Sequence, residues 1–261
     1  FFERRAVMRG DFETYLNDSF RDKNGELDLK GLLDLEDEAD MDVAVIMPNT
    51  QPEPPNAELA EAIKGHPRAL GCALIHPTEV NPVSQIHQAA NKWQMKGIKL
   101  MPAVYGYNVD DEIVRPVVEA ARDNGLIVSI HSGPANCHPT RIGNVAKWIP
   151  ETPVIMDHMG FPDDLDAGIE AARTNKNIYL GTTILRFYQR WGTNPDQVVP
   201  TEIRKAIDEL GPEQIVFGSN TPEYRPIQVV NAIQRLELGK EAETLIFGGN
   251  LAKIYGLNDQ R

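Results

Sequence analysis

The 261 residues carry Asp+Glu 38 against Lys+Arg 26, a net charge of -12, and 41% apolar side chains. An acidic chain with no basic block excludes nucleic acid as an expected partner, and its charge reads as ordinary solubility. No apolar run approaches the roughly 18 residues of a membrane span, so no membrane partner is expected either, and the length suits one α/β barrel.

Two cysteines, Cys72 and Cys137, form neither a disulfide framework nor a zinc motif. Cys72 lies in an apolar run as core filler, and Cys137 lies in a loop beside His138. No signal peptide is visible, so a reducing cytoplasmic compartment is expected.

In chain order, 1–17 and 28–39 have helical spacing of apolar residues. The run 42–47 reads as a buried strand, followed by a polar, Pro-rich loop and a helix over 57–64. Strands follow at 70–75 and 97–100, with a helix over 83–92 between them and another over 111–123. The central stretch is 125–133, G-L-I-V-S-I-H-S-G, an apolar strand with His131 at its C-terminal end. A helix over 141–148 leads to a similar strand that ends in Asp157 and His158. The helix 165–174 and the strand 177–180 come next, then a long loop over 183–200 rich in aromatic and basic residues. The helix 201–210, with Thr201 as its cap, precedes a last strand ending at Phe217, and helices over 227–236 and 250–255 close the chain.

Strands thus alternate with helices at intervals of roughly 25–35 residues, the spacing of βαβ units. They are continuous apolar runs, as in a parallel sheet buried on both faces. About seven units are counted, where eight close a barrel. The fold expected is a (β/α)8 TIM barrel, one domain over 1–261, with its first strand missing from this sequence.

In such a barrel, polar side chains at the C-terminal strand ends converge on the active site. His131 is the first candidate, as a metal ligand or an acid–base group, and His158 is a second ligand or a general acid/base. Asn220 follows the last strand, where a barrel hydrolase would place a carboxylate; an amide is a weak ligand and no base. Lys99 either meets an acidic group of the substrate or pairs with a carboxylate in the barrel wall. Arg186 and Arg190, in the long loop, either clamp a substrate carboxylate or form a solvated face. His76 and His138 are lesser candidates at the mouth. His66 and His87 read as surface residues.

Five segments together resemble the amidohydrolase superfamily, and more closely the amidohydrolase-related branch that includes aminocarboxymuconate-semialdehyde decarboxylase-like enzymes. They are Gly97-Ile98-Lys99-Leu100 with 107–111, Ile130-His131-Ser132-Gly133, Asp157-His158-Met159-Gly160, 217–222 (F-G-S-N-T-P) and 247–252 (F-G-G-N-L-A). The resemblance implies one divalent metal, often zinc, held by His131, His158 and Asn220, with His158 and Asn220 catalytic. Asn220 stands at the family's metal-binding aspartate. The family's His-x-His pair on the first strand has no counterpart, and Phe1-Phe2 resembles the segment just after that pair.

The first expectation is therefore a metal-dependent hydrolase acting on a small, carboxylated molecule. Its alternatives are a decarboxylase or other lyase of the same family, and a metal-independent or inactive barrel that binds a ligand. Dimerisation is common in the family, and a homodimer is expected by analogy.

Overall fold

The computed structural model describes residues 7–48, 50–160, 162–183 and 198–257. Eight parallel strands lie in sequence order: β1 Gly10–Leu16, β2 Val43–Pro48, β3 Ala69–Leu74, β4 Gly97–Leu100, β5 Ile127–Ile130, β6 Val154–Met156, β7 Ile178–Gly181 and β8 Ile215–Val216. Helices such as Leu29–Glu38, Pro82–Asn91, Arg115–Asp123 and Leu165–Thr174 connect them. The architecture is the expected TIM barrel.

β1 does not match expectation. The stretch read as a helix over 1–17 contains the first strand, so that strand is part of this sequence. β1 pairs with β2, with a register shift between Asp11 and Thr14. It also meets the segment after β8: Phe12 N–H donates to the Phe217 carbonyl at 3.0 Å, Asn220 N–H to that of Glu13 at 2.9 Å, and Tyr15 N–H to that of Thr221 at 2.8 Å. These bonds close the ring and leave neither β1 nor β8 as a bare edge. A smaller correction concerns Thr201. The helix Thr201–Leu210 begins after Pro200 in the cap position, and the Thr201 hydroxyl donates to Glu202 instead.

The pleat sorts side chains between two cores. Ala44 and Ile46 of β2 join the large cluster under the helices, whereas Val45 and Met47 join a smaller one with Phe12, Ile127, Ile155 and Val216. This smaller cluster is the barrel interior. The same alternation places Ile98 and Leu100 outside and Lys99 inside, and Val128 and Ile130 outside and Ser129 inside.

Phe12 plugs the interior. A Cβ at Gly218 would come within 2.3 Å of its ring, and one at Gly181 within 2.5 Å. The end of β7 and the segment after β8 therefore need glycine where the ring passes. The helix Asn250–Tyr255 crosses the N-terminal end, where a Cβ at Gly10 would meet Leu251 at 2.4 Å. With one end stopped by that helix and the middle by Phe12, polar chemistry is confined to the C-terminal mouth.

Candidate active site

Lys99 projects inward from β4 and is fully buried. Its ammonium lies 2.8 Å from Glu13 Oε1 and makes a still closer ion pair with Asp157 Oδ2. Glu13 comes from β1 and Asp157 follows β6, so three strands supply one buried charge cluster. It is trimmed by hydroxyls: Tyr15 donates to Glu13 Oε1 at 2.7 Å, and Ser129 donates to Asp157 Oδ1 at 2.7 Å. Burial alone would raise the Glu13 carboxyl, but the neighbouring Lys99 outweighs it, with His158 and Thr183, and holds it down to about 2. Glu13 is therefore an anion locked to an ammonium. Of the two expectations for Lys99, the structure displays the pairing in the barrel wall.

The histidines form a second unit beside the first. After β6 the backbone turns left-handed at His158 (φ 60°) and Met159 (φ 53°), and Gly160 continues at φ 89°. Ser132 Oγ holds this turn, donating to the Asp157 carbonyl and accepting from Gly160 N–H at 2.8 Å. His158 Nδ1 makes a short contact to the Thr183 carbonyl, which can only accept, so Nδ1 carries the proton. In the neutral ring Nε2 is then an acceptor. It lies 3.0 Å from His131 Nδ1, which is the donor, and His131 Nε2 is left as the acceptor nitrogen. The rings meet edge to face with centroids 4.8 Å apart. Burial pushes both imidazoles down, and repulsion from His158 and Lys99 helps take His131 to about 3. Both are neutral at physiological pH.

Asn220 lies in the turn after β8 in the left-handed region (φ 64°), which asparagine tolerates. Its Nδ2 donates to Glu223 at 2.9 Å. With Tyr15, Asn17, Ser19, Pro222 and Glu223 it lines a cleft of about 420 Å³ at the mouth. Arg186 and Arg190 lie outside the described residues. His76 stacks on Tyr105 with centroids 4.1 Å apart. His138 caps the helix Pro139–Trp148, accepting from Thr140 N–H.

The sequence reading had no role for Glu13, Tyr15, Asp157 or Thr183. One signal existed. In β1, D-F-E-T-Y-L, Asp11 and Glu13 are separated by one residue, on the strand where the resemblance places a His-x-His pair.

The family model described as amidohydrolase matches residues 6–257. The chain belongs to the amidohydrolase family. No curated protein matches it. Among solved structures it is similar to 5-carboxyvanillate decarboxylase from Sphingomonas paucimobilis, with 16% identity, 96% of this chain and 99% of that one covered, and a TM-score of 0.70. It is similar to 2,6-dihydroxybenzoate decarboxylase from Rhizobium, with 14% identity, 97% and 99% covered, and a TM-score of 0.73. A third is dihydroxybenzoic acid decarboxylase from a Polaromonas species, with bound manganese and the inhibitor 2-nitroresorcinol (14% identity, 97% and 98% covered, TM-score 0.71). At these identities the likeness shows a shared fold.

Among the described residues, Glu13, Asp157 and His158 form a candidate metal site, offering three ligand atoms all within 4.8 Å of one another. Two carboxylates and an imidazole are donors that manganese or zinc accepts. Each already has an engaged atom, while Glu13 Oε2 has no hydrogen-bond partner. Lys99 holds both carboxylates, and both ring nitrogens of His158 are in hydrogen bonds. The donor types fit a divalent metal, but the charge does not, because an ammonium stands where the metal's charge would be needed.

Proposed function

We propose that this member of the amidohydrolase family is a lyase that decarboxylates a small aromatic acid carrying a hydroxyl beside its carboxylate. The observation that carries the reading is the His131–His158 pair after β5 and β6, fixed in one tautomer by the Thr183 carbonyl. The names of the structural neighbours support decarboxylation over the hydrolysis first expected.

In this reading the substrate hydroxyl lends its proton to His131 Nε2. The ring carbon bearing the carboxylate receives that proton, its bond to the carboxylate breaks, and the bonding pair returns to the ring as carbon dioxide leaves. The product phenolate then takes a proton from water. Burial first, with His158 and Lys99, keeps the His131 ring neutral, so its Nε2 is in the accepting form. His158 positions His131. Asn220 forms the cleft wall and orients the substrate, and Arg186 and Arg190 are kept as the groups that clamp its carboxylate. No step passes through zinc or another metal. A cytoplasmic setting and a single catalytic domain over 1–261 belong to the same proposal.

The test is a panel of hydroxybenzoates incubated in deuterium oxide. The expected outcome is carbon dioxide release with one deuterium at the vacated carbon, reduced roughly 10²–10⁴-fold by His131→Ala. Turnover of esters or lactones without carbon dioxide release would return the protein to the hydrolases.

A further inference from the structure

The fold family implies a divalent cation at this mouth, and the charge cluster argues otherwise. We infer that Lys99 is the resident cation of the site, its ammonium taking the place of a metal ion between Glu13 and Asp157.

Three observations converge. First, the lysine is wholly enclosed: its side chain is 1% exposed, and those of Glu13 and Asp157 are 0% exposed. Second, the geometry is that of an ammonium chelated by carboxylates from two different strands, with Tyr15 OH sharing Glu13 Oε1 and its ring 5.9 Å from Lys99 Nζ. The alternation of β4 fixes this placement, because residue 99 points inward between the outward Ile98 and Leu100. Third, the remaining candidate ligand is committed. His158 spends Nδ1 on Thr183 and Nε2 on His131.

A metal ion entering here would bond the carboxylate oxygens at about 2.0–2.2 Å. It would then stand against the ammonium, or expel it into an apolar wall without a counter-ion, and either outcome lowers affinity. The lysine thus performs two duties of a metal: it offsets carboxylate charge and fixes one oxygen of each carboxylate. It does not perform a third, since an ammonium has no open coordination position with which to activate water. Such a site suits a reaction that moves a proton more than one that needs a metal-bound hydroxide.

The full-length chain, expressed in medium supplemented with manganese and zinc, would be assayed for metal content and then titrated with Mn²⁺ and Zn²⁺. The expected result is no stoichiometric metal in the wild type and no change in Tm with either ion or with chelator. Lys99→Met or Lys99→Gln should bind Mn²⁺ roughly tenfold or more tightly than wild type. One metal per wild-type chain overturns the inference, as does a folded Lys99 variant that still takes up none. If neither variant folds, the wild-type titration decides alone. The readout is metal rather than turnover, so its failure is distinct from failure of the decarboxylation reading.

Discussion

Among the described residues two glutamates are completely buried, Glu13 and Glu36, and they are treated in opposite ways. Glu13 has an ammonium and a phenol on one oxygen, and its carboxyl is held charged. Glu36, on the helix Leu29–Glu38 outside the barrel, has no hydrogen-bond partner on either carboxylate oxygen. Burial first and the nearby Asp11 second push it well above the usual carboxylate range, with Arg68 opposing, so it keeps its proton. Of these two buried carboxylates one is paired and one is neutralised, and only the paired one belongs to the charge cluster inside the barrel.

The harshest way to break this contrast is to remove the pairing. Lys99→Met leaves two carboxylates buried together without a cation and should cost about 3–5 kcal/mol in denaturant unfolding without added metal. Tyr15→Phe removes one hydrogen bond to a charged oxygen and should cost about 1.5–3 kcal/mol in the same measurement.

Glu36→Leu tests the other side and has the opposite sign. The folded state binds this proton more tightly than the unfolded chain does, so the contribution of Glu36 to stability is fully present below about pH 4.5 and is lost as pH rises through the raised native value. The leucine variant should be more stable than wild type by about 1–2 kcal/mol at pH 8, with a smaller advantage at pH 5. Equal gains at both values would show that Glu36 is ionised in the native protein.

The same contrast explains what the sequence could reveal. β2 and β6 announce themselves as β-branched and apolar runs, because both faces of each are buried against carbon, and β4 and β5 depart from that only at Lys99 and Ser129. His131 and His158 were legible as strand-end polar residues, and the structure brings them into contact. β1 was not legible. Three of its seven residues are Asp11, Glu13 and Thr14, and no local pattern says that carboxylates will be buried. Their burial is licensed by Lys99, 86 residues later in the case of Glu13, and by Ser219 N–H for Asp11. Lys99 was visible as an inward-facing strand residue; the anions awaiting it were not. The cluster is a property of the closed ring, and periodicity reads only one strand at a time.

Ring closure between β1 and the segment after β8 also sets a timetable. Asp11 emerges early and its partner Ser219 follows 208 residues on, a wait of about ten to forty seconds at roughly 5–20 residues per second of synthesis. Through that interval the outer edge of β1 lacks its neighbour, and such edges recruit other chains. Two carboxylates in water are a good deterrent to that recruitment. The acidity that hides β1 from pattern reading is what a nascent chain needs while the far side of its barrel is still being made.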